Sequence, residues 1–134
     1  MGSFTDYLEN KVLDHVVGKT SFTMPAVVAV ALFTAAPSDA GGGTEVTNAN
    51  NYARKTTAGT DWQAAASGAT QNSAAITFNV PSGSWGTVTH FAIMDSATYG
   101  AGNMLMWSAL TTPQAIGSGN TVSFAIGDLD ITLD

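Results

Sequence analysis

A mainly β protein is predicted, an antiparallel β-sandwich or jelly-roll-like fold with one N-terminal α-helix, and three observations predict it. The 134 residues are rich in small and β-branched types (Ala, Thr, Val, Gly, Ser), with only 10% charged. About seven short apolar or alternating runs are separated by Gly, Pro, Asn and Asp turn signals, the spacing of sandwiches and barrels. Helical spacing occurs once, at the start, so the alternating helix–strand pattern of a doubly wound sheet is absent. The length predicts one domain spanning residues 1–134.

The helix is expected over about residues 4–17. Phe4, Leu8, Val12 and Val16 recur at spacing four, and Leu13 and Val17 widen the stripe. Ser3 or Thr5 can cap it, Asp6 suits the positive end of the helix dipole, and Gly18 suits the stop. Residues 26–34, AVVAVALFT, are apolar on both faces, as a buried strand is. Further strands are expected at 52–57, 75–80 (with Ile76, Phe78 and Val80 on one face), 88–94 and 104–110. Alternation in 88–94 groups Val88, His90, Ala92 and Met94 against Thr89, Phe91 and Ile93. Pro113 is expected to end the 104–110 strand. Residues 121–126 and 129–133 alternate around Gly127 and Asp128, which fits a two-residue hairpin or a single bulged strand. Residues 38–51, 62–72 and 95–103 read as loops.

Composition excludes several functions. No cysteine is present, which removes disulfides and thiolate chemistry. The net charge is −6, and the only bases are Lys11, Lys19, Arg54 and Lys55, too few to neutralise a nucleic-acid backbone or form a polybasic membrane patch. The apolar stretch of residues 24–36 contains Pro25 and falls short of the roughly 20 residues needed to span a bilayer, so no membrane insertion is expected. Asp6 and Glu9 stand where a secretory signal would carry bases, and Asp6 stands where a myristoylation signal wants Ser or Thr. A soluble chain made in the cytoplasm is expected.

Catalytic sets are also missing. The only histidines are His15 and His90. His15 follows Asp14 directly, and adjacent residues do not face each other on a helix. Asp128, Asp130 and Asp134 lack the glycine and glutamate of a calcium loop. Gly41, Gly42 and Gly43, and Gly100 and Gly102, have no following Lys-Ser/Thr and so form no phosphate cradle. Asp61, Asp95 and His90 are the only residues from which a hydrolytic site could be assembled. Trp85 and Trp107 occupy strand positions and are expected in the core. Trp62 and Tyr99 lie in loops and are the candidates for recognition, including sugar stacking. No catalytic residue, cofactor or metal site is expected.

The stretches FTDYLENKVLDHVVGK, VALFTAAPSDAGGGTEV, NYAR and SWGTVTHFAIMD, in order from about Gly2 to Leu133, resemble small virion proteins of tailed bacteriophages, the tail-fibre and tail class. The resemblance implies a non-enzymatic structural component of the virion, present in multiple copies and bound to other phage structural proteins. A homo-oligomer is the default for symmetric attachment sites. It carries no catalytic residues over. A capsid decoration (cement) protein and a receptor- or carbohydrate-binding module facing a host surface receptor are the alternatives. In the structural roles, Phe4, Leu8, Val12 and Val16 form the expected docking stripe, against the alternative that the helix packs on its own sheet.

Overall fold

The structure, a computed structural model, describes residues 3–133; Met1, Gly2 and Asp134 lie outside the described residues. It is mainly β with antiparallel pairing throughout and a single α-helix near the N-terminus. In chain order the elements are β1 (Ser3–Phe4), α1 (Asp6–Val16), β2 (Val28–Ala35), β3 (Thr44–Glu45), β4 (Lys55–Thr57), β5 (Ala69–Gln71), β6 (Ile76–Thr77), β7 (Gly86–Met94), β8 (Met104–Ile116), β9 (Ser123–Phe124) and β10 (Asp130–Thr132). Six strands form one sheet in the order β1-β8-β7-β2-β3, with β4 also on β2. Two separate two-stranded ribbons, β5 with β10 and β6 with β9, complete the strands.

The helix starts one residue after an extended Thr5, whose backbone (φ −80°, ψ 156°) and hydroxyl cap it. It ends in a Schellman motif: Lys19 N–H donates to Asp14 O at 2.8 Å and Gly18 N–H to His15 O at 3.2 Å. Gly18 adopts φ +77°, the left-handed conformation this cap requires. Phe4 is not helical; it pairs with Met106 in the sheet.

Both faces of the central strand β2 are covered, as its unbroken apolar run predicts. One face builds the larger core: Val30, Leu32, Ile93 and Leu105 from the sheet, Leu8 from α1, and Ile76, Phe78 and Leu129 from the ribbon side. The other face carries a smaller cluster of Ala31, Phe33, Ala92, Met94 and Met104. Val88 joins the larger core rather than the face of Ala92 and Met94, because the ladder shifts register between Val88 and His90.

Strand boundaries depart from expectation in several places; the expected loop 38–51, for one, contains β3. The strand expected at 104–110 runs through Pro113 to Ile116. Its register with β7 jumps from His90↔Ala109 to Val88↔Gln114, so Pro113 falls in a bulge where no ladder N–H is required. The expected hairpin across Gly127 and Asp128 does not form. Asp128 closes a turn with Ala125 (N–H to O, 3.0 Å; Ala125 N–H to Asp128 Oδ2, 2.8 Å), and the two flanking strands leave it for different partners, β6 and β5. The expected loop 62–72 contains β5, and Trp62 bridges to Asn72. Val80 is exposed although Ile76 and Phe78 are buried, because the ladder of this ribbon ends at Thr77.

Asn72 explains why the two ribbons sit together. It is fully buried, and its Nδ2 donates to Ala74 O and Ala125 O, each at 2.8 Å, while its Oδ1 accepts from Leu129 N–H at 2.9 Å. Its backbone bonds to Leu129 O and Gly127 N–H as well. One amide side chain thus ties the end of the β5–β10 ladder to the segments flanking the β6–β9 ribbon, which do not pair with it. Asn72→Ala leaves the buried Leu129 N–H and Ala74 O without these partners, while Ala125 O keeps Asp128 N–H, and each unsatisfied group costs about 1–3 kcal/mol. We expect a loss of at least about 2 kcal/mol by urea denaturation; a loss under about 0.5 kcal/mol would mean the ribbons hold without the amide.

Candidate functional site

The smaller cluster lies on a sheet face made shallow by alanine. Ala29, Ala31 and Ala92 have no exposed surface. Small side chains here let the loops at residues 36–43 and 95–103 lie directly on the sheet. Trp107, half-buried beside the cluster, donates from Nε1 to Asp39 Oδ1 at 3.2 Å, and Asp39 O accepts from Asp6 N–H at 2.9 Å. The first loop is therefore tied both to the sheet and to the start of α1. Gly102 sits where a Cβ would meet Asp95 Oδ1 and Ser96 Cβ at 2.5 Å, so the second loop closes only with glycine there. Asp95 fastens its ends, accepting from Asn103 N–H at 2.6 Å and from Asn103 Nδ2 at 2.9 Å.

A buried ion pair joins this loop to the sheet edge. Arg54 meets Glu45 in a two-pronged contact, Nε to Oε1 and Nη2 to Oε2, both 2.8 Å. Its Nη1 donates to Ser96 O at 2.9 Å and Ala101 O at 2.8 Å. The pair is almost wholly enclosed, with side-chain exposures of 2% for Arg54 and 9% for Glu45. Tyr52 completes it: its hydroxyl donates to Glu45 Oε1 at 2.9 Å and accepts from Leu32 N–H at 3.1 Å. Hydrogen bonding to Glu45 raises Arg54 above its ordinary value and keeps the guanidinium charged. Burial, reinforced by the Glu45 charge, raises the Tyr52 phenol well above its ordinary value and keeps it neutral.

Between the two loops lies an open cavity of about 750 Å³ with Phe33, Met94 and Met104 at its base. Tyr99 stands on its wall, 41% exposed and edge-on to Tyr52 with ring centres 6.4 Å apart. Of the two loop aromatics expected to be available for recognition, only Tyr99 is so placed. Trp62 is half-buried against the larger core, with Nε1 donating to Thr57 Oγ1 at 3.1 Å. The residues from which a hydrolytic site could be built hold separate local structures. Asp61 accepts from Ala58 N–H, Asp95 holds its loop, and His90 bonds Thr89 Oγ1 beside the Trp107 ring. Among the described residues, no three His, Asp or Glu side chains are grouped to hold a metal, and no helix is long and apolar enough to cross a membrane.

The helix stripe divides. Leu8 is buried, and Phe4 and Val12 pack half-buried against the core, so three of the four expected docking residues face inward. Val16 is 74% exposed, and Leu13 and Val17 are exposed beside it. The chain after the helix doubles back, with Phe22 N–H donating to His15 Nδ1 at 3.0 Å, and then presents Met24 at 83% exposure. The Glu45–Arg54–Tyr52 network was not singled out by motif reading. Its one signal is that a charge-poor chain retains a single arginine.

The sequence matches the family described as podophage GP4 fiber I protein gp80 over residues 3–132. The chain belongs to this phage fibre family, as the resemblance of its N-terminal and central stretches implied. No curated protein matches it.

Removing one partner of the ion pair strands a buried charge. Arg54→Met should destabilise by about 3–5 kcal/mol in chemical denaturation, and Glu45→Gln added to it should restore part of the loss. An Arg54→Met protein within about 0.5 kcal/mol of wild type would show that the pair is not holding the loop. The Tyr52 phenol adds a pH dependence. Its folded value lies above its unfolded value near 10, so its contribution is complete below about pH 10 and is lost as pH rises further. The urea midpoint of wild type should fall more steeply above about pH 10 than that of Tyr52→Phe. Parallel curves would remove Tyr52 as the cause.

Proposed function

We propose that the chain is a single-domain, non-enzymatic structural module of a podophage virion, carried in multiple copies in the tail fibre and attached to other phage structural proteins through the exposed end of α1. The observation that carries this reading is the exposed apolar group Leu13, Val16 and Val17, on one face at the end of α1, in a chain of a phage fibre family. Contiguous exposed apolar residues mark interaction sites on soluble proteins. The helix is well suited to the role because its first half is anchored in the core. Thr5 N–H bonds Leu105 O, and Leu8 is buried, so the second half is presented by a fixed support.

Paired Leu13→Asp and Val16→Asp substitutions should leave stability within about 0.5 kcal/mol, as exposed positions do. They should also deplete the protein from purified virions, read by immunogold labelling and quantitative mass spectrometry. Label on the capsid in head-like copy numbers would replace the fibre position with the decoration role. Wild-type protein missing from virions would overturn the structural reading.

A further inference from the structure

The larger sheet face is not fully covered. A groove of about 650 Å³ opens between the second half of β8 and the segment of residues 120–124, with Leu32, Val88 and Phe91 at its base. The chain turns back between these walls through Gly117 and Asn120 (Asn120 N–H to Gly117 O, 3.2 Å), so they are the two legs of a splayed hairpin. Among the described residues the legs do not pair. β9 pairs only with β6, and β8 pairs on its outer side only with β1, at Trp107 and Met106. Residues 110–113 also bulge away from β7. An open strand edge beside an apolar base is a template for an added strand, and soluble chains normally blunt or cover it.

The same chain carries a segment of matching character. Residues 23–27 link Phe22, which packs against the core, to the start of β2 without forming a helix or strand, and bend at Ala26. Among the described residues they make no hydrogen bond, and Met24 and Val27 point to solvent. This arm cannot fill its own groove. It enters the sheet beside the Ala29↔Met94 pair, whereas the groove is walled where Val88 pairs with Gln114. Six residues of β7 separate the two places, about 20 Å at 3.3 Å per residue. Charge complements the fit. Of the four bases, Arg54 is consumed by Glu45, and Lys19 stands exposed just before the arm, while Asp128 and Asp130 line the groove.

We propose that the arm at residues 23–27 of one copy inserts along the open edge of β8 in the groove of a second copy, with Met24 over the apolar base and Lys19 toward Asp128 and Asp130. Donor and acceptor surfaces lie at opposite ends of the sheet, so the contact is head-to-tail and propagates into a ring or a filament rather than closing as a two-fold dimer. This rests on the multi-copy reading above and names the surface that joins the copies. Pro25, which has no N–H to give, takes an outward-facing position on the added strand.

The cysteine-free chain allows a direct test. Protein carrying Met24→Cys is mixed with protein carrying Thr112→Cys and treated with a short bis-maleimide. Heterodimers should form between these two and not between Met24→Cys and Lys55→Cys. Met24→Asp should weaken self-association at least tenfold in sedimentation equilibrium while leaving the thermal midpoint in place. Association that survives Met24→Asp with no selective cross-link overturns the arm-and-groove contact and leaves the multi-copy reading intact. Protein that is monomeric at every concentration and in virion extracts overturns both.

Discussion

The buried pair of Glu45 and Arg54 is the constraint on which the outer layer of this protein depends. A guanidinium taken out of water needs its donors engaged, and here four of its five N–H groups are: Nε and Nη2 bond one carboxylate while Nη1 bonds two loop carbonyls. The consequence is positional. The 95–103 loop has no ladder of its own, and the charge fixes where it lies on the sheet. Tyr52 extends the constraint inward by bonding the backbone of Leu32, so the edge strand β3, the central strand β2 and the loop share one polar anchor. Among the described residues no buried side-chain nitrogen or oxygen lacks a partner, which is the condition under which such an anchor orders rather than destabilises.

The opposite side of the molecule solves a different problem with a neutral group. Ribbons of two or three residues per strand are too short to be stable as ladders. Asn72 compensates by supplying the hydrogen bonds that a longer sheet would have made. The result is an asymmetric protein: one broad sheet, one layer of small ribbons, and a splayed gap where β8 runs on past β1. That gap and the half-presented helix are the two surfaces on which the proposed contacts with other subunits rest.

Much of the architecture was legible in the residues. The capped helix, the doubly apolar β2, the inward pair Ile76 and Phe78, and the core placement of Trp85 all followed from periodicity and turn chemistry. What failed were inferences about partners. Alternation around Gly127 and Asp128 looks the same whether the flanking strands pair with each other or with distant segments. Pro113 looks like a stop because local rules cannot see that its own strand bulges there, which is set by the register with β7. The helix stripe, uniform in sequence, is half core and half surface because the sheet beneath it ends.

By itself the sequence determined the class of object: a charge-poor, cysteine-free, sheet-building chain with one helix, resembling phage tail components. Those are properties of composition and short-range periodicity, which are local. Only the tertiary structure decided that Glu45, Tyr52 and Arg54 form one network with the 95–103 loop, that Tyr99 rather than Trp62 stands free at a cavity, and that Val16 rather than Leu8 faces outward. These are long-range outcomes, set by which segments the ladder and the buried polar groups bring together, and no spacing within a segment encodes them.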